Sequence, residues 1–424
     1  MKKDFCITKE FFGGIIENTC TKDNFYIDSD LFNFLNKLID GKLDHEEIKT
    51  LNISQDELLE IFIDMIKMGL LNLNYTIYKN NKECKDYLSH PIRVFYDITY
   101  LCNLRCKHCF TNSGEKNKKE LSFDQKIELV TQCKQLNVGR ISIAGGEPFC
   151  DERILDFLKL CKDNQLEVSL TTNGTLLNKE TVIAVNKLGI KTLTVSLDGG
   201  SEESNDIIRG KGSFKKTLEG LENLKKYYKN NYCIKTTLMK TNVDDIEKLI
   251  KIAIENKCWS IKFNCVREDG RAKTNAEGVL LNQKEYIKTI KEIELLRKKY
   301  KDCISIKAPL NIFCEDEYEF IEELGFGCFA GKESICIDPM GNVRPCSHFS
   351  EEYICGNILE KNLWEIWHES RILNRFRSLT GNDICNTCKY YKKCRGGCRY
   401  RAFRNGDING IDPYCYLEAN KHEE

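Results

Sequence analysis

Over residues 92–300 the chain switches repeatedly between strand and helix periodicity. Short apolar runs at 92–98, 140–144, 167–172, 192–197, 233–239 and 260–266 read as strands. Amphipathic stretches at 123–137, 152–164, 178–188, 214–228, 243–256 and 283–300 read as helices. Regular alternation of this kind implies an α/β fold with a parallel sheet and right-handed crossovers. Six units are too few for a closed eight-fold barrel, so a partial (β/α)6 barrel or an open sheet is expected. In either case the active site belongs at the carboxyl ends of the strands, in the βα loops.

The motifs fall in those loops. Cys102, Cys106 and Cys109 follow strand 92–98 at C-x₃-C-x₂-C spacing, "GGEP" (Gly145, Gly146, Glu147, Pro148) follows 140–144, and "TNGT" with Asn173 follows 167–172. Ser196 and Asp198 close 192–197 in "SLDGG". Each alone could be a plain turn, but four on one rim point to a site. Three thiolates can hold three irons of a 4Fe–4S cube and leave one iron open. Zinc is the competitor, with His108 or water as its fourth ligand.

The chain has 23 cysteines among 424 residues. No apolar run nears the ~20 residues that a bilayer span needs. The N-terminus has lysines but no apolar signal segment, so the cytoplasm is expected. In a reducing compartment, clustered cysteines bind metal or do redox chemistry. Singletons such as Cys133 and Cys161, on helix faces, read as buried small hydrophobes. A second group is Cys328, Cys336, Cys346 and Cys355, and a third is Cys385, Cys388, Cys394, Cys398 and Cys415. From 301 the apolar periodicity fades, so this segment is expected to depend on metal for its fold.

C-x₃-C-x₂-C after the first strand, with GGEP after the second, resembles the radical S-adenosylmethionine (SAM) enzymes. The resemblance implies that SAM chelates the open iron and is cleaved to a 5′-deoxyadenosyl radical. It implies His108 near the adenine, Gly145, Gly146 and Glu147 at the methionine amino group, and Pro148, Asn173, Ser196 and Asp198 near the SAM. Arg209 would meet the SAM carboxylate; its plain alternative is a surface arginine. Cys328, Gly341-x₄-Cys346, Cys385-x₂-Cys388-x₅-Cys394-x₃-Cys398 and Cys415 resemble a SPASM domain. That implies two auxiliary 4Fe–4S clusters, three clusters in all. Cys385, Cys388, Cys394 and Cys415 would hold one. Cys328, Cys346 and Cys398 would hold the other, with Cys336 or an open iron completing it. Cys336 lies on an expected strand; it and Cys355 could equally be buried residues.

The stretch 389–404 is basic, which suits a solvated face or a tuned cluster. The neutral whole chain argues against nucleic acid.

Residues 1–75 read as a separate domain and 76–91 as a linker, ahead of a 92–300 barrel and a 301–424 cysteine-rich domain. "GGIIENTC" and "NFYID" suggest a hairpin, helical patterns follow at 30–40, 45–51 and 55–68, and "LLNLNYTIY" alternates like a strand. Capping-box spacing occurs at Asp44/Glu47 and Ser54/Glu57. The pattern suggests a winged helix. Residues 1–90 hold 16 Asp and Glu against 11 Lys and no Arg, a net of −5, so DNA is a poor partner. Such a fold can instead add a peptide strand to its sheet edge. "FFGGIIENTCTKDNFYID" resembles the PqqD-like recognition element that binds leader peptides. The three parts in this order resemble maturases of ribosomally made peptides, which implies a precursor peptide, a flavodoxin- or ferredoxin-like electron donor, and a thioether or carbon–carbon crosslink as product. The alternatives are a sulfatase maturase, a cofactor- or haem-biosynthesis enzyme, and a non-catalytic iron–sulfur peptide-binding protein. Sulfatase maturases carry an acidic residue directly after the second SPASM cysteine; here Ser347 follows Cys346.

Overall fold

The computed structural model describes residues 5–10, 13–18, 24–39, 75–78, 87–275, 279–308, 328–379, 382–388, 391–394 and 396–415. These form two compact units, one up to Ser89 and one from His90 on.

In the first unit, β1 (Phe5–Glu10), β2 (Gly13–Asn18) and β3 (Asn24–Asp28) form an antiparallel meander, and β4 (Tyr75–Tyr78) joins β1 in parallel. The sheet order is β3-β2-β1-β4. The β2–β3 hairpin is the one expected from the alternation, with Ile15 opposite Tyr26 and Ile16 opposite Phe25. Helix α1 (Ser29–Ile39) follows, its first turn capped where Asp28 Oδ1 accepts the Leu31 amide at 2.7 Å. The helices expected at 45–51 and 55–68, with their capping pairs, lie outside the described residues.

In the second unit, β5 (Arg93–Asp97), β6 (Arg140–Ala144), β7 (Glu167–Thr172), β8 (Thr192–Ser196), β9 (Asn231–Leu238) and β10 (Ser260–Cys265) lie side by side in chain order, all parallel. The order never reverses. Successive crossovers can therefore stay on one face, as in a barrel wall, unlike a doubly wound sheet. β11 (Ser305–Lys307) extends one end. At the other, β12 (Ser334–Ile337) pairs in parallel with β5 and is followed by β13 (Asn342–Arg344) and β14 (Gly356–Asn357), antiparallel. The result is an open ten-stranded sheet.

Helices α2 (Phe123–Gln135), α3 (Ile154–Asp163), α4 (Lys179–Leu188), α5 (Glu202–Arg209), α6 (Ser213–Tyr227), α7 (Ile246–Glu255), α8 (Arg271–Thr274) and α9 (Gln283–Lys299) occupy the connections. Strand residues such as Tyr96, Ile141, Leu170, Leu193, Ile234 and Ile261 are buried, as are Leu129 of α2 and Phe157 of α3. Each such side chain contributes roughly 1.5–3 kcal/mol by leaving water. Cys133 and Cys161 are fully buried among them.

The segment after 301 packs more apolar side chains than its faded periodicity suggests. It has a dense aromatic core of Phe349, Tyr353, Phe376 and Tyr400, with Ala330 and Ile408. Trp367 of α10 (Leu363–Glu369), the helix that precedes α11 (Arg371–Arg377), is also fully buried. Metal is therefore not its only source of order. The apolar residues come singly, so no run announces them. Short helices α12 (Asp383–Asn386), α13 (Tyr391–Cys394) and α14 (Arg399–Arg404) carry the last cysteines.

Candidate functional site

The loop after β5 holds Cys102, Cys106 and Cys109, and backbone contacts fix it at both ends. The Cys102 amide donates to Gly114 O at 3.1 Å, and the Gly114 amide to Tyr100 O at 2.8 Å. Arg271 on α8 clamps the middle. Its Nε donates to Cys106 O at 2.8 Å, and one terminal nitrogen donates to Asn112 Oδ1 and Ser113 O. Asn275 donates to Lys107 O at 3.1 Å. Sequence reading missed both residues; their only signal was an arginine in the loop after a barrel strand.

GGEP is laid against this loop. The Gly146 and Glu147 amides donate to Thr99 O and Leu101 O, each at 2.8 Å. A Cβ on Gly146 would lie 2.3 Å from Leu101 O, so only glycine permits the approach. Pro148 starts a short turn. Glu147 is fully buried, and burial raises its carboxyl to about 6. Both its oxygens serve neighbouring loops: Thr172 Oγ1 donates to it at 2.7 Å and the Asn173 amide at 2.6 Å. Asn173 in turn donates to Asn103 Oδ1 at 2.8 Å. The three loops are thus one hydrogen-bonded rim.

Asp198 is the hub of the next part. It is fully buried and accepts the Thr237 amide at 2.7 Å, while Asn242 donates to its carbonyl. Arg209 Nε lies 2.6 Å from its Oδ2, off the hydrogen-bond line, and His108 Nε2 lies 3.4 Å away. Arg209 is only 6% exposed, which overturns the surface-arginine reading. Asp198 and the Cys106 thiol act on the Arg209 guanidinium. Burial lowers His108 to about 4, so its imidazole is neutral at pH 7. Its Nδ1 is buried with no hydrogen-bond partner. With the carboxylate on the Nε2 side, Nδ1 is left as an acceptor. Ser196, at the end of β8, is half-buried and stands opposite Lys235.

Burial raises Cys102 to about 11 and also raises Cys106. Such thiols stay protonated on their own, whereas a coordinating thiol is deprotonated outright. The donor set therefore suits a metal cluster. The unpartnered His108 Nδ1 and the buried Arg209 suit a polar organic ligand beside it.

The C-terminal cysteines form two groups. Burial raises Cys328 and Cys346 to about 12, and the charge of Cys398 acts on both. Cys336 is buried on β12, under the influence of Cys346 and bonded by Ser347. Cys355 Sγ contacts Tyr353 O instead. In the other group, Cys415 acts on both Cys385 and Cys394, and Cys388 on Cys385. Asp412 braces the two groups. It accepts the Cys398 amide at 2.8 Å and binds Arg401 through both oxygens at 2.8 and 2.6 Å. Arg399 is buried on the carbonyls of Ile408 and Gly410, so these two arginines of the basic stretch belong to the interior. Among the described residues, no three Cys, His, Asp or Glu side chains converge on a point suited to a single metal ion.

Residues 96–253 match the radical SAM superfamily and 328–395 match the SPASM iron–sulfur cluster-binding domain. The chain is 26% identical over 339 residues to mycofactocin maturase MftC of Mycolicibacterium smegmatis, covering 77% of this chain and 83% of that protein. It is 28% identical over 356 residues to an AdoMet-dependent heme synthase of Methanosarcina barkeri, covering 78% and 98%. The fold is similar to Streptococcus suis SuiB bound to its precursor peptide SuiA, at 21% identity and a TM-score of 0.71 over 96% of this chain and 97% of that one.

Proposed function

We propose that this chain is a radical SAM enzyme that modifies a ribosomally made precursor peptide. The observation that carries the reading is the hydrogen-bonded rim joining the three-cysteine loop, GGEP and TNGT, with Asp198 beside His108 of the cysteine loop, on a chain with a SPASM domain. The full-length fold likeness to SuiB, solved with its precursor peptide, supports a peptide substrate over a small molecule.

In this reading Cys102, Cys106 and Cys109 hold the first 4Fe–4S cluster. Cys385, Cys388, Cys394 and Cys415 hold a second. Cys328, Cys346 and Cys398 hold a third, which Cys336 or a substrate thiolate completes. With clusters and SAM bound, the site supplies a 5′-deoxyadenosyl radical that removes a peptide hydrogen, and an auxiliary cluster supplies an acceptor for the leftover electron.

The chain's own residues do the rest. Arg271 and Glu147 keep the loops in register. His108, with its buried and unpartnered Nδ1, would lie at the adenine, and Gly145, Gly146, Pro148, Asn173 and Ser196 would line the SAM. Arg209, steadied by Asp198, would hold the SAM carboxylate. Residues 1–75 act as a PqqD-like, winged-helix recognition element, and the leader adds to the sheet edge of β3 by β-augmentation. A flavodoxin or ferredoxin supplies electrons.

The likeness to a heme synthase supports a second reading, a haem- or cofactor-forming enzyme. One experiment separates them. The reconstituted enzyme is given SAM, a reductant and the precursor encoded beside its gene. The peptide should become lighter by a pair of hydrogens. SAM cleavage with an unchanged peptide would sink the peptide reading.

A further inference from the structure

The inner face of the parallel sheet carries a group of cations that the reading above does not use. Lys235 on β9 and Lys262 on β10 are direct cross-strand neighbours. Their flanking residues Ile234, Thr236, Ile261 and Phe263 are buried on the opposite face, so both lysines point the same way. Arg267, just past β10, is close enough that its charge and that of Lys262 both act on the Lys235 ammonium. Arg267 is held by Ser347 Oγ at 3.1 Å and lies over the Phe110 ring at 4.4 Å. The other titratable groups acting on Lys235 or facing it are Asp97, Asp198, Cys233 and the neutral His108. Asp198 is already committed to Arg209. Burial raises the Asp97 carboxyl to about 6, so it is largely ionised at pH 7, but it forms no ion pair with any of the three cations. Among the described residues, Lys235, Lys262 and Arg267 have no carboxylate within ion-pair distance. Like charges directly opposite on a sheet are destabilising. Half-buried cations in this arrangement are stabilised by an incoming anion.

We infer that Lys235, Lys262 and Arg267 form a receiving site for a carboxylate of the peptide substrate, at the floor of the rim built by Asp198 and the cysteine loop. This rests on the peptide reading, and it names what that peptide must carry. An unmodified ribosomal peptide offers one strong anion, the carboxylate of Asp, Glu or the C-terminus. Lys235 stands opposite Ser196 and feels the charge of Asp198, so a carboxylate held there would place adjacent peptide carbons beside the SAM-side residues. The site acts as a specificity determinant and takes no part in SAM cleavage.

The test has two arms. In the first, the cluster-loaded full chain, saturated with SAM, is dialysed against radiolabelled N-acetylglutamate α-amide and, separately, its neutral glutamine analogue. The acid should bind at least tenfold more tightly, and K262Q or K235Q should erase the difference. No preference for the acid, or a preference that survives both substitutions, overturns the proposal. A tenfold loss of SAM affinity in K262Q also overturns it, because the anion served would then be that of SAM. In the second arm each Asp and Glu of the precursor is replaced by Asn or Gln, and its C-terminus is amidated separately. One of these changes should cut kcat/KM at least tenfold in the wild type and have no further effect in K262Q. If none does, the substrate assignment is overturned. If the wild type leaves every peptide unchanged, the maturase reading fails, while dialysis still decides the carboxylate site.

Discussion

At the residue scale, the cysteine loop depends on contacts that leave little room. Gly146 approaches Leu101 O so closely that one methyl group cannot be placed. In G146A the loop must shift by an ångström or more, and reacting groups tolerate far less. SAM cleavage should fall at least tenfold while far-ultraviolet dichroism stays unchanged; full activity would show that GGEP does not position the loop. Arg271 is the complementary case. In R271A the Cys106 and Ser113 carbonyls lose a charged donor, a loss worth about 1.5–3 kcal/mol per bond. Iron bound at the first cluster should drop with SAM cleavage, the auxiliary iron should persist, and R271K should restore only part. The cysteines and GGEP were legible because each is a short string after a recognisable strand. Arg271 was not, because it reaches Cys106 across 165 positions and no local pattern records such a contact. Asp412 escaped notice because its partners Cys398 and Arg401, 14 and 11 positions away, form no short motif with it.

At the element scale, the six barrel strands were legible within two residues because each is an apolar run bounded by turn residues. β1 and β11 were not: β1 ends in Lys9 and Glu10, and β11 is three residues long. Glu10 shows what a charged residue does inside a short strand. It is 6% exposed and accepts from the Ser89 amide at 3.0 Å and Ser89 Oγ at 2.7 Å. Burial raises its carboxyl from 4.5 to about 7. The folded state therefore holds this proton more tightly than the unfolded state. Its contribution is intact below pH 4.5 and is lost as pH rises through about 7, a change of roughly 3 kcal/mol. Amides of β1 should exchange faster at pH 8 than at pH 5, beyond the intrinsic chemical rate. E10Q keeps an acceptor for Ser89 and cannot ionise, so its β1 amides should show no such extra opening. Equal pH dependence in both proteins would rule Glu10 out as the cause.

At the scale of the whole molecule, the chain joins two tasks that sequence patterns separate only in part. On the proposed function the barrel and its cysteines carry one and the acidic first unit the other. The order β3-β2-β1-β4 of that unit leaves β3 as an edge with one neighbour among the described strands. An edge strand presents unpaired amides and carbonyls, which a leader peptide can complete by main-chain bonds. In that reading main-chain docking holds the leader without consuming it, and leader and core are bound by different surfaces. Linking the two raises the core's effective concentration at the rim. It follows that free leader, added without its core, competes for docking and leaves the rim untouched. In excess it should raise the apparent KM for full precursor several-fold, while SAM cleavage without precursor keeps its rate. A leader that accelerated or blocked SAM cleavage by itself would mean that it acts on the rim directly. A leader with no effect on either would remove the docking role from residues 1–75.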